Sequence, residues 1–107
     1  MCPILQVVTT IDSEARARAM AESLVDEQLA ACVQVDGPIS SIYRWQGKLE
    51  TAQEWRCTIK TTADRFDALE RQIRALHSYE VPEILATEVA RTSAAYAEWL
   101  RQQTQRA

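Results

Sequence analysis

Two extended stretches, residues 33–45 and 48–61, follow one another with only a short turn between them. Each runs to about 13 residues, roughly 40 Å if fully drawn out. Strands in globular proteins average about 5–6 residues. The whole chain has 107 residues. A domain of that size is roughly 25–30 Å across, from a radius of gyration of about 13 Å. A hairpin made of these two stretches must therefore project beyond the body that carries it. The second stretch is sharply periodic: Trp55, Cys57, Ile59 and Thr61 alternate with Glu54, Arg56, Thr58 and Lys60. That is the pattern of a strand with one buried and one wet face. In the first, Gly37-Pro38 interrupts the run as a bend or bulge does, and Gln46-Gly47-Lys48 signals the turn.

The flanking segments supply the body. Residues 4–10 are short and β-branched, the signature of a first strand. Asp12 and Ser13 offer an N-cap, and good helix formers run to Gln28 with Ala17, Met20, Ala21, Leu24 and Gln28 on one stripe. After the hairpin, Thr62 is placed to cap a second helix with Phe66, Leu69, Ile73 and Leu76 on its apolar face. Val81 to Val89 reads as a fourth strand with Pro82 at its start. Thr92 or Ser93 caps a last helix carrying Tyr96, Trp99 and Leu100, and residues 102–107 read as a frayed tail. The order is β-α-β-β-α-β with an extra C-terminal helix. This predicts one α+β domain over residues 1–107, a ferredoxin-like sandwich with a long hairpin between its second and third strands. A projecting tip bearing Tyr43 and Trp45, and free strand edges, invite pairing with another copy.

Charge and motifs narrow the function. The net charge is −3 and the 12 basic residues are scattered, so no nucleic-acid face is expected. No apolar run approaches the ~20 residues of a membrane span. The N-terminus lacks the basic region and cleavage site of a signal peptide, so the cytosol is the expected compartment. The 3 cysteines (Cys2, Cys32 and Cys57) lack paired spacing and read as reduced thiols, the last two as small core residues. With 2 glycines there is no phosphate-cradling loop, and with 1 histidine no nucleophilic triad, so no enzyme is expected. An acylphosphatase would share the fold, but it needs an arginine after the first strand; Thr10-Ile11-Asp12-Ser13 supplies an acid instead.

Five stretches together resemble the CutA divalent-cation tolerance family. They are Leu29-Ala-Ala-Cys-Val33, Ser41-Ile-Tyr-Arg-Trp-Gln-Gly-Lys48, Ile59-Lys60-Thr61, Leu76-His-Ser-Tyr-Glu-Val-Pro-Glu-Ile84 and Ser93-Ala-Ala-Tyr-Ala-Glu-Trp-Leu100. The likeness runs from about residue 5 to residue 100. It implies a homotrimer resembling the PII signalling proteins, with sheets lining an interior, hairpins crossing to neighbours, and a tolerance role linked to copper or another divalent cation. No catalytic mechanism comes with the resemblance. The chain departs from the family pattern at Ser78, where proline is usual, and at Gln46, where glutamate is usual. Thr9 and Leu76 stand where some members carry a cysteine and a second histidine.

His77, Cys32 and Glu80 are the candidate metal ligands, because imidazole, thiolate and carboxylate suit a borderline or soft cation. His77 has a second reading as a helix C-terminal residue that caps carbonyls, and Cys32 a second reading as packing. Tyr43 and Trp45 would either stack on a planar ligand or anchor an interface. Lys60, Tyr79, Glu80 and Glu83 would either converge on an inter-subunit cleft, with Lys60 and Arg56 as contacts for a small anionic ligand, or form a solvated salt-bridge set. Three functions follow: a trimeric metal-binding protein without turnover, a PII-like sensor of a small metabolite, or a structural interaction platform.

Overall fold

The computed structural model describes residues 2–105. Its first strand, β1 (Ile4–Ile11), lies inside the sheet rather than at an edge. β3 (Lys48–Thr62) runs antiparallel along one side of it, from Ile4↔Thr62 to Ile11↔Trp55. β4 (Leu85–Glu88) pairs antiparallel along the other, from Leu5↔Glu88 to Val8↔Leu85. β2 (Cys32–Trp45) pairs with β3 from Cys32↔Lys60 to Trp45↔Lys48, giving the order β2-β3-β1-β4. With α1 (Glu14–Asp26), α2 (Phe66–Leu76) and α3 (Ala94–Gln103), this is the ferredoxin-like arrangement with its extra helix.

One face of the sheet is closed by α1 and α2. Ala17, Met20 and Leu24 of α1 and Leu69 and Ile73 of α2 meet Val7, Ile11, Cys57 and Ile59 in a single buried cluster. Period-two alternation sends Gln6, Val8, Gln34, Asp36, Arg56 and Thr58 to the opposite, open face, where they line a shallow depression. At one end α3 closes that face, packing Ala97 and Leu100 on Ile4, Ala31 and Val89.

α1 starts as its sequence predicts, with Ser13 extended and its Oγ accepting from the Arg16 N–H at 3.2 Å. It stops before Gln28, which is exposed with φ 60° rather than on the buried stripe. The Gln28 N–H bonds the Val25 carbonyl and the Leu29 N–H bonds the Leu24 carbonyl, each at 3.0 Å. That reciprocal pair is a Schellman stop, which puts Leu29 back into the core beside Leu24. Thr62 makes no backbone cap. Its hydroxyl bonds Asp64, a 3-10 turn (Ala63–Arg65) leads into α2, and Leu76 is 36% exposed.

Three further expectations need correcting. β4 has 4 residues, not the whole of 81–89, because residues 78–84 form an irregular loop that carries the chain from the end of α2 to the sheet edge. In α3 it is Ala97 and Leu100 that are buried, while Tyr96 and Trp99 stand 40% exposed with their rings 5.5 Å apart. The tail does not fray where expected: Thr104 is buried and its hydroxyl donates to the Leu100 carbonyl. Residues 106 and 107 of that tail lie outside the described residues.

The hairpin projects. The molecule measures 44 × 26 × 22 Å. At the tip Gln46 and Gly47 have φ 50° and 79°, the two positive values of a two-residue turn whose twist matches that of the strands. Between Asp36↔Arg56 and Ile39↔Glu54 the register slips, so β2 carries one extra residue there, next to a cis Gly37–Pro38 bond. Gly37 is required by close approach, because a Cβ would stand 2.6 Å from the Trp55 ring.

Candidate functional site

The slip in register decides what faces what. Before it, even-numbered β2 residues share the open face with Arg56 and Thr58. One extra residue reverses the phase, so beyond it Ser41, Tyr43 and Trp45 come to the face of Glu54. There the hairpin leaves the body and the loop after α2 arrives from the other side. Between them is a cleft of about 600 Å³, lined by Thr10, Ser41, Ile42, Tyr43, Trp45, Glu54, Tyr79, Glu80, Val81 and Glu83.

The loop wall is tied down residue by residue. His77 is half-buried, with Nε2 2.8 Å from the Thr10 carbonyl and Nδ1 3.0 Å from the Tyr79 N–H. A backbone N–H can only donate, so Nδ1 accepts, and the neutral ring carries its proton on Nε2 and donates to Thr10. Ser78 Oγ donates to Asp12 at 3.3 Å. The Tyr79 hydroxyl donates to Glu54 Oε2 at 2.7 Å. Burial, then the Glu54 bond and its negative charge, hold the Tyr79 phenol well above the usual range, so it stays a donor. Glu54 itself is only 6% exposed.

Tyr43, Trp45, Tyr79, Glu80 and Glu83 line one cleft within the single chain, and His77 sits behind it holding the loop. Lys60 does not join them. It is on the open face, its Nζ bonded to Gln34 Oε1 at 2.7 Å, because its parity and register pair it with Cys32 and Gln6. Arg56 is clasped by both oxygens of Asp36, at 2.8 and 3.2 Å.

The three metal candidates are not brought together within one chain. Cys32 is half-buried on the open face, not in the core, and is level with Gln6, whereas His77 touches Thr10. Four residues of strand, about 13 Å, separate those levels. Glu80 is exposed, and both His77 ring nitrogens are occupied. Among the described residues no three His, Cys, Asp or Glu side chains converge as a cation shell. Cys57 is fully buried, its thiol pushed up to about 11 by burial, then by the Asp36 charge, and it donates to the Ala17 carbonyl. Thr9 is buried among core residues rather than in the cleft, and its hydroxyl has no partner.

Sequence reasoning missed Glu54 and Thr10. Glu54 belongs to the wet half of an alternating run and reads as solvated. The signal that would have found it is Gly37-Pro38 in the facing strand, since a bulge there folds the outer hairpin and the loop around that side chain.

Residues 5–103 match the profile of the CutA1 divalent ion tolerance protein family. The chain is 45% identical over 98 residues to the "Divalent-cation tolerance protein CutA" of Thermus thermophilus, covering 92% of this chain and 95% of that one. It is 36% identical over 102 residues to "Protein CutA 1, chloroplastic" of Oryza sativa, covering 95% of this chain but 58% of that one, so it spans little more than half the length of that relative. The crystal structure of CutA1 from Oryza sativa superposes with a TM-score of 0.95 at 35% identity, covering 99% of this chain and 97% of that one. No helix among the described residues is long and apolar enough to cross a membrane.

Proposed function

The chain belongs to the CutA1 divalent ion tolerance family, and from that premise we propose that it serves divalent-cation tolerance as a homotrimeric binding protein without catalytic turnover. The observation that carries the reading is the outer hairpin. Ile42 and Leu49 at its end are 69% and 71% exposed, and Tyr43 and Trp45 about half. An isolated two-stranded ribbon is marginal in water, so this one needs a covering surface. A neighbouring copy supplies it, and three copies close a ring about an axis without leaving an end uncovered. Because the described residues of one chain offer no converging set of ligands, a copper or other divalent ion is held between copies. Glu80, Glu83 and His77 contribute at the loop, with His77 Nδ1 giving up its Tyr79 bond to coordinate. The three free thiols fit a reducing compartment, the cytosol.

A PII-like small-molecule sensor is the second reading, favoured by the cleft itself. Of the contacts expected for a small anionic ligand, Lys60 is bonded to Gln34 and Arg56 to Asp36.

Native mass spectrometry with stoichiometric copper and zinc tests the main reading. Wild type is expected as a trimer that takes up metal in discrete steps. His77→Ala is expected to lose metal and keep the trimer, and removal of residues 43–49 to yield monomer. A truncated chain that remained trimeric would remove the hairpin from the assembly, and a trimer that stayed metal-free would leave the sensor.

A further inference from the structure

Glu54 is a buried carboxylate that meets no counter-charge among the described residues. It is 6% exposed and lines the cleft. Its hydrogen-bond donor among the described residues, the Tyr79 hydroxyl, is neutral and stays neutral. The ion pairs among the described residues are Arg18–Glu14, Arg56–Asp36 and Arg74–Glu70; none reaches Glu54. A glutamate this deep is almost always paired, because taking its charge out of water is costly unless it is compensated. The surroundings add negative charge rather than cancel it. Glu80 and Glu83 line the same cleft, and Asp12 is close enough to bear on Tyr79. Arg56, which feels the charge of Glu83, is already clasped by Asp36.

The remaining walls are carbon. Tyr43 and Trp45 present rings from the hairpin, and Ile42 and Val81 add aliphatic surface. Bare divalent ions ask for several oxygen, nitrogen or sulfur ligands at one point, which these side chains do not supply within the chain. An aromatic wall facing a carboxylate is the recognition chemistry of an organic cation, whose charge meets the carboxylate and the ring faces while its carbon body is desolvated.

We infer that the cleft between the hairpin and residues 77–83 binds a small organic ammonium ion, with Glu54 as counter-charge and Tyr43 and Trp45 as walls. Tyr79 is the positioning residue that fixes one Glu54 oxygen and leaves the other for the ligand. The inference needs neither the metal nor the trimer of the preceding reading.

Benzylamine, cationic at neutral pH, and benzyl alcohol, its neutral counterpart of the same shape, test it by calorimetry and tryptophan fluorescence on the wild-type protein at fixed ionic strength. Benzylamine is expected to bind saturably, one per chain, and at least about tenfold more tightly than the alcohol, the size of a charge-assisted contact with an aromatic wall. Glu54→Gln keeps an acceptor for Tyr79 but removes the charge, and should bring benzylamine down to the level of the alcohol. Should Glu54→Gln fail to fold, the exposed Glu80→Gln and Glu83→Gln are each expected to weaken benzylamine by a smaller factor and leave the alcohol unchanged. Equal affinity for the two probes, no saturable benzylamine binding, or unchanged affinity in the carboxylate variants would each overturn the inference. Uptake of copper by a protein that ignores benzylamine would defeat it while leaving the metal reading standing.

Discussion

The inner and outer halves of the β2–β3 hairpin share one hydrogen-bonding ladder and almost nothing else. In the inner half, residues 32–36 and 56–62, β3 is flanked on both sides by strands and covered by two helices, and Cys57 and Ile59 are fully buried. In the outer half, residues 39–54, the two strands have only each other, and Ile42 and Leu49 stand largely in solvent. Backbone pairing resumes beyond the slip, so the main difference lies in side-chain burial. The inner half is held by its own core, and the outer half inherits its direction from the inner one and awaits a covering surface. The one-residue slip at Gly37 divides them, since it changes which side chains of β2 face which way.

The comparison is sharpest at Ile59. Ile59→Ala is expected to cost about 2–5 kcal/mol in urea unfolding, as for large-to-small changes in well-packed cores; a loss below about 1 kcal/mol would mean that the inner half is not held by its core. Tyr79→Phe removes the donor to Glu54 where the halves meet. It should cost about 1–3 kcal/mol, the penalty of leaving a buried acceptor unmet, and raise the mobility of residues 78–84 in hydrogen exchange. An unchanged exchange pattern would show that the His77 and Ser78 bonds tie the loop without it.

Cys57 gives a pH readout of the inner half. Its thiol is pushed from the ordinary value of 9.0 up to about 11. A pKa raised on folding means that the native state holds the proton longer. The associated stability is therefore complete below pH 9.0 and is lost as pH rises toward about 11. At pH 8 iodoacetamide should alkylate Cys57 far more slowly than Cys2 or Cys32, and equal rates would place the inner half open to solvent. Smallest is Leu49→Ser, expected within about 0.5 kcal/mol in the stability of a single chain. Its effect is expected in the oligomeric state by light scattering, and a variant as associated as wild type would say that the exposed tip is not a contact.

The same division explains what could be read from the amino-acid order. Alternation over Trp55–Thr61 and the stripes of α1 and α2 report burial directly, so the inner body was legible from hydrophobic period alone. Glu54 was not, because its burial comes from a loop 25 residues away in sequence through the Tyr79 bond. Lys60 was misplaced for a related reason: a polar residue in an alternating strand has a face, but the sequence does not say which other polar residues share it. Tyr96 and Trp99 read as core because a large aromatic on a helical stripe normally is, whereas the surface they leave uncovered is on the outside of this chain. Val81–Ile84 has strand composition, yet the Tyr79 and Ser78 anchors hold the loop away from the β1 edge until Leu85.

The placement of β1 between β3 and β4 has a consequence for biosynthesis. Ile4–Ile11 emerges from the ribosome before either neighbour exists, and its last partner, Glu88, is made 77 residues after Ile11 (88 minus 11). At about 5–20 residues per second, that strand waits roughly 4–15 s with an open edge before the sheet is complete. During that interval the nascent chain is most exposed to capture by chaperones and to pairing with the same strand on a neighbouring polysome.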